Sequence, residues 1–303
     1  MSIRKDHLSS YTPPQHARQD SSFFEEMEVK DIRSLYFQVL KEGMHGLCFS
    51  LYEDGQAPGD TISEEQIRRR IALIAPYAKW VRSFSTTEGN ELIPKLAKEY
   101  GMKTLVGCWL SDDIEKNKEE VESLIRLGSQ GYVDIAAVGN EVLYRDDLPL
   151  DDLLQAISKV KEEFREIPVG YVDAYYEFTR HERLSDACDV ILSNCYPFWE
   201  GTHFNDSLSH MQYMFQQSML AAKGKRVIVT ETGWPSRGES LKGAEPNEIN
   251  AMKYFIQSQL WSTKEKIDLF YFSSFDESWK KSAEGEVGAF WGIFDKNEKL
   301  KYQ

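Results

Sequence analysis

Eight apolar, β-branched runs separated by helical segments predict an α/β protein built as a single (β/α)8 TIM barrel. Two further observations support this reading. The runs recur at spacings of roughly 20 to 45 residues, room for one strand and its crossover helix. Two of the runs end in a glutamate beside turn-forming residues, and the C-terminal ends of parallel strands are where α/β folds keep their chemistry. The rival architecture, an open doubly wound sheet, calls for a Gly-x-Gly-x-x-Gly turn that the chain lacks. A length of 303 residues fits one barrel with modest additions.

Residues 1 to about 20 are rich in Ser, Pro, Gln and His without periodicity and read as a flexible N-terminal arm, so the barrel is expected over 21–303. Helical spacing from Phe23 to Leu40 predicts a helix that leads into the barrel and closes its bottom. Gly46–Leu51 is the first strand, and Ser63-Glu64-Glu65-Gln66 opens a helix to about Tyr77 with a start resembling a capping box. Trp80–Phe84 and Lys103–Trp109 are the second and third strands, with helices at Asn90–Tyr100 and Ile114–Leu127. The fourth strand is Val133–Val138, followed by a helix over Leu150–Phe164. The fifth is Pro168–Val172, with a shorter helix over Phe178–Ala187. Asp189–Asn194 and Val227–Thr230 are the sixth and seventh, with helices at Leu208–Ala222 and Pro246–Trp261, and Asp268–Ser273 is the eighth. No linker-like break follows residue 20, which predicts one domain.

Net charge is −13, with the acids spread along the chain, so the surface repels nucleic acid and anionic membrane but is indifferent to a neutral ligand. No stretch approaches the ~20 apolar residues of a membrane span. The polar N-terminus shows no apolar core of a signal peptide, and the chain as given is expected to be cytoplasmic, or secreted or periplasmic if a signal sequence has been removed. Cys48, Cys108, Cys188 and Cys195 show no close pairing and read as reduced, buried thiols. The six histidines show no ligand spacing, and no metal or organic cofactor is expected.

The chemistry gathers at two strand ends. Tyr132–Glu141 and Arg226–Ser236 share one grammar, an apolar run that delivers a glutamate next to Gly, with Trp234 and Pro235 following in the second. Glu141 and Glu231 therefore face one mouth from strands four and seven, which lie nearly opposite one another. Paired carboxylates across a cleft are the equipment of glycosidic cleavage: one protonates the leaving oxygen and the other attacks or activates water. Other residues expected at the mouth are Tyr52, Phe84, Trp109, Asn140, Asp173, Tyr196, Trp234, Asp276, Glu277 and Lys280. Asn140 is placed to hydrogen-bond a sugar hydroxyl beside the reacting carbon. Trp234, Trp109 and Trp279 read either as sugar contacts or as loop packing.

The strings Val138-Gly139-Asn140-Glu141, Thr230-Glu231-Thr232-Gly233-Trp234-Pro235-Ser236 and Phe275-Asp276-Glu277-Ser278-Trp279-Lys280, with Trp291–Asp295, resemble glycoside hydrolase family 17. That family comprises β-1,3-glucanases and related glucanosyltransferases. The resemblance covers residues of about 45 to 296 and is closest to the shorter bacterial type. It implies a retaining mechanism with Glu141 as acid/base and Glu231 as nucleophile. It also implies that Glu277 and Lys280 line the site near the nucleophile, and that Tyr196 contacts the reacting sugar. Phe84 stands where members often carry tyrosine. The expected activity is retaining hydrolysis of β-1,3-glucan or laminari-oligosaccharides, with exo-type action on short chains. A glucanosyltransferase would use the same two glutamates. A catalytically inert glucan-binding protein is the alternative of another class, disfavoured by the presence of both carboxylates.

Overall fold

The structure, a computed structural model, describes residues 22–303; the expected N-terminal arm lies outside the described residues. Eight parallel strands close a barrel in sequence order. They are β1 (Met44–Cys48), β2 (Ala78–Ser83), β3 (Lys103–Cys108), β4 (Ile135–Asn140), β5 (Val169–Ala174), β6 (Val190–Asn194), β7 (Arg226–Thr232) and β8 (Leu269–Tyr271). The (β/α)8 expectation is borne out, and each strand overlaps its predicted run. β4, β5 and β7 each continue two residues further than expected, because buried polar side chains at their ends keep the ladder going where the apolar pattern stops.

The helices are α1 (Val29–Glu42), α2 (Glu64–Ile74), α3 (Leu92–Glu99), α4 (Ile114–Ser129), α5 (Leu150–Glu163), α6 (Tyr175–Arg180), α7 (Glu182–Ala187), α8 (Ser207–Ala221), α9 (Glu248–Glu265) and α10 (Lys281–Glu284). Side-chain caps start three of them. Ser63 accepts from the Gln66 amide, Asp113 from Lys116 and Asn247 from Asn250, each satisfying a first-turn donor that has no partner inside its helix.

Two helix expectations need correction. The segment read as one helix over Phe178–Ala187 is two, α6 and α7, broken at His181. The leading helix does not close the barrel's bottom. α1 packs along α9, with the Tyr36 ring 4.9 Å from Phe255 and 5.1 Å from Tyr302, and Phe255 in turn meets Tyr271 of β8. Only turns, two short 3-10 helices and the four-residue α10 follow β8, so the wall position beside it is covered by the helix that precedes β1. Among the described residues no helix is long and apolar enough to cross a membrane.

Regularity fails in two strands, β4 and β7. Between β4 and β5 the pairing steps from Ala137↔Gly170 to Asn140↔Val172, so β4 carries one extra residue. Between β6 and β7 it steps from Ser193↔Val229 to Asn194↔Glu231, so β7 carries one extra residue as well. Such bulges bend a strand and re-aim the side chains that follow. Gly139, at φ +89°, supplies the left-handed backbone that the first bulge requires. After the second, a methyl group on Gly233 would lie 2.2 Å from the Phe272 carbonyl oxygen, so the chain passes there only as glycine.

If α1 is part of the barrel wall, Tyr36→Ala removes a buried ring and costs about 3–5 kcal/mol of stability in denaturant unfolding. A loss below about 1 kcal/mol would show that α1 merely rests on the surface.

Candidate active site

Each bulged strand places a buried carboxylate at or just beyond its C-terminal end. Glu231 is 6% exposed and Glu141 8% exposed, at the C-terminal mouth of the barrel. They are joined by a residue of β6. The Asn194 Nδ2 donates to Glu141 Oε1 at 3.0 Å and to Glu231 Oε1 at 3.0 Å. The Thr230 hydroxyl donates to Asn194 Oδ1 at 2.9 Å, which sets the amide so that its NH2 faces the two acids. Two oxygens bonded to one nitrogen lie at most about 6 Å apart, and about 5 Å apart when the two amide hydrogens splay by ~120°. That spacing matches retaining glycosidases, at ~5–5.5 Å, and falls short of the ~6.5–9.5 Å of inverting ones.

Around Glu231 the donors are dense. Arg82, 1% exposed on β2, gives Nη1 to Oε1 at 2.8 Å, and the Tyr196 hydroxyl gives a 2.7 Å bond to Oε2. With Asn194, three donors converge on this side chain, an arrangement an acceptor-only carboxylate satisfies. Burial lowers the Arg82 pKa, but the Glu231 and Cys48 charges and the hydrogen bonds to both side chains together outweigh it and hold the guanidinium above its ordinary value. Burial and then Glu231 push the Tyr196 hydroxyl well above the tyrosine range, so it stays a donor. Arg82 Nη2 also binds Asn140 Oδ1 at 2.6 Å, and its guanidinium lies over the Phe84 ring at 4.1 Å. Asn140, Glu231 and Phe84 are thus organised by a single buried cation.

Glu141 is held differently. Its φ is +52°, in the left-handed region, where a residue other than glycine costs on the order of 1–3 kcal/mol unless its surroundings fix it. Its amide donates to Val172 O at 2.7 Å. The turn that follows is tied to β5: Leu143 N donates to the Tyr171 hydroxyl at 2.9 Å, Tyr144 N to Asp173 Oδ2 at 3.3 Å, and Tyr171 OH to the same Asp173 oxygen. Burial, then the neighbouring Glu141 charge, push Asp173 up to about 8, against the pull of the Tyr171 and Ala174 donors.

Glu277 and Lys280 come to the mouth as a pair. Lys280 Nζ is 2.5 Å from Glu277 Oε2, while Glu277 Oε1 accepts from Ser50 Oγ at 2.5 Å and from the Trp279 indole at 3.0 Å. Lys280 lies 4.3 Å over the Phe272 ring and within electrostatic reach of Glu231, but the cation bonded to Glu231 is Arg82. Tyr52, half-buried, meets the Trp279 ring edge-on at 5.9 Å. Asp276 turns away to Lys301 Nζ, at 2.9 Å, and to the Gly292 amide.

Trp234 requires correction as a sugar contact. It is 1% exposed, its indole N–H donates to Glu245 O at 2.9 Å, and its ring packs on Phe198, Phe204 and Tyr254. The turn at Gly233 sends this bulky side chain into the core. Two residues that organise the site were not singled out from sequence, Arg82 and Asn194. Their signal was a charge and an amide near the C-terminal ends of strands, just after apolar residues, where a buried polar group implies a buried partner. All four cysteines are free and buried, as expected.

A profile of the BtgE/BtgC glycoside hydrolase domain matches residues 46–292. The chain belongs to glycoside hydrolase family 17. Among family members, a glucan 1,3-beta-glucosidase of Schizosaccharomyces pombe is 30% identical over 76% of this chain and 77% of its own length. One of Saccharomyces cerevisiae is 26% identical over 92% and 93%. A β-1,3-glucanosyltransferase of Rhizomucor miehei, solved as crystals of the family 17 enzyme and as an active-site mutant with laminaritriose, is 26% identical. It covers 86% of this chain and 97% of its own, with TM-scores of 0.76 and 0.77. The family resemblance read from the three motif strings is borne out.

Two measurements probe this site in the family 17 chain. Arg82→Met strands the Glu231 charge and is expected to cost about 3–5 kcal/mol, a loss cut by more than half when Glu231→Gln is added. Additive losses would show that the pair is not coupled. For Asp173, the folded chain keeps its proton up to about 8 whereas the unfolded chain releases it near the ordinary 3.8. Its contribution is therefore complete below the unfolded value and is lost as pH rises toward 8. Urea unfolding across that window is expected to show the native chain losing stability relative to Asp173→Asn as pH rises. A pH-independent difference would contradict it.

Proposed function

We propose that this chain hydrolyses β-1,3-glucosidic bonds with retention, through Glu231 as nucleophile and Glu141 as acid/base. The observation that carries the reading is the Asn194 amide bonded to both carboxylates, which holds them at the separation double displacement uses. In the first step Glu231 attacks the anomeric carbon. The bond to the leaving sugar breaks, and the protonated Glu141 gives its proton to the departing oxygen. In the second step the Glu141 carboxylate takes a proton from water as that water attacks the same carbon, and Glu231 leaves.

Arg82 and Tyr196 aim the nucleophile. Asn140, whose Oδ1 is taken by Arg82, turns its amide nitrogen to a sugar hydroxyl beside the reacting carbon. Phe84, Tyr52 and the Glu277–Lys280 pair supply the remaining substrate contacts. The substrate class is supported by the S. pombe glucan 1,3-beta-glucosidase and by the laminaritriose bound in the R. miehei enzyme. The latter, a glucanosyltransferase, also favours a second reading in which a sugar hydroxyl rather than water resolves the intermediate. Short laminari-oligosaccharides are the proposed preferred substrates.

The test is a time course on laminarihexaose and laminarin with products resolved by size. Glu231→Ala is expected to lose activity by on the order of 10³-fold or more, and Glu141→Ala by about 10²–10⁴-fold. One short product from the start supports exo action, a ladder supports endo action, and products longer than the hexamer support transfer. Inactivity of the native chain on both substrates would contradict the linkage, and full activity of Glu231→Ala would contradict the site.

A further inference from the structure

Among the described residues, large exposed apolar side chains are few and, with one exception, lie on the helices, at their ends or next to the N-terminus. The exception is Trp109, 37% exposed immediately after β3, at the mouth of the barrel. β3 pairs with β4, the strand that delivers Glu141, in the register Cys108↔Val138. Trp109 therefore stands on the acid/base side of the cleft.

The ring is anchored from behind. The Arg145 guanidinium lies over one face at 4.2 Å. Arg145 is itself fixed on three sides: Nε donates to Asp147 Oδ2 at 2.6 Å, Nη2 to Leu110 O at 3.0 Å, and Nη1 to the Asn140 carbonyl oxygen. The backbone of Trp109 is held too, its amide donating to the buried Glu120 carboxylate at 3.0 Å. A guanidinium clamped between the ends of β3 and β4 thus props an indole whose exposed area faces solvent. Such a support suits a preformed stacking platform.

Resting on the proposed function, we infer that Trp109, backed by Arg145, binds the leaving or accepting glucosyl unit. Chemistry fixes the side: the acid/base protonates the leaving group, so whatever sugar lies beside Glu141 belongs to the departing half of the substrate, or to the acceptor that replaces it. The apolar C–H face of a β-linked glucosyl unit stacks on the indole, and the indole N–H meets one of its hydroxyls. The platform then governs how often a sugar rather than water resolves the intermediate.

The test compares native chain, Trp109→Ala and Trp109→Phe on laminarihexaose and on β-laminaribiosyl fluoride, whose leaving group places no sugar on the platform. For Trp109→Ala, kcat/KM on the hexaose is expected to fall about ten-fold further than on the fluoride. The share of fluoride turned into transfer product by added laminaribiose is expected to fall similarly, and Trp109→Phe to recover most of both. Equal losses on the two substrates, or none on the hexaose, would overturn the inference. Inactivity of the native chain on both would instead overturn the proposed function, so the two failures are told apart.

Discussion

The site depends on one amide group. Asn194 holds two buried carboxyl groups about 5 Å apart, where two full negative charges would repel by roughly 3 kcal/mol even at an effective dielectric of ~20. That repulsion is offset locally: Arg82 lies 2.8 Å from Glu231, and the NH2 of Asn194 donates to both acids. The Thr230 hydroxyl fixes the amide's orientation, and Thr230 is the residue by which β7 exceeds its neighbour's register. The same irregularity that brings Glu231 level with Asn194 therefore supplies the group that aims Asn194. Geometry and charge compensation come from the same few residues.

The two carboxylates are nevertheless held in different ways, and the difference suits two roles. Glu231 lies in a net of donors from β2, β6 and the turn after β6, with little freedom left to its oxygens. Glu141 takes a bond from Asn194 and is also constrained through its backbone, a left-handed residue whose following turn is strapped to Tyr171 and Asp173 of β5. A nucleophile gains from a fixed line of attack, and a group that gives up a proton and later takes one back gains from a fixed position. Asp173, fully buried beside it, places a third acid in the same neighbourhood and links that turn to pH.

Much of this was legible in the sequence, for identifiable reasons. Strand existence follows from apolar runs, and a barrel follows from eight of them, so Glu141 and Glu231 fall at strand ends without any knowledge of contacts. What periodicity does not carry is register. The extra residues in β4 and β7 change which side chains stand opposite, and they leave no mark on the apolar pattern. Arg82 and Asn194 were passed over for a related reason: a polar residue at the end of an apolar strand reads as an interruption until its partner is known. Trp234 was misplaced because Gly-Trp-Pro has the composition of an exposed turn, whereas the close approach of Gly233 to Phe272 drives the ring inward. α1 was found as a helix but set against the wrong surface, since its apolar stripe does not say which neighbour it meets.

The central claim is that the Asn194-bridged pair works by double displacement, and the anomeric form of the first product tests it most directly. Proton NMR of a laminari-oligosaccharide digest, recorded within the first minutes before mutarotation, distinguishes the two anomers at the newly formed reducing end. The account predicts the β-anomer first, with the α-form growing in later. An initial α-anomer would mean inversion, and would contradict the reading of Glu231 as a nucleophile held at bonding distance from the reacting carbon.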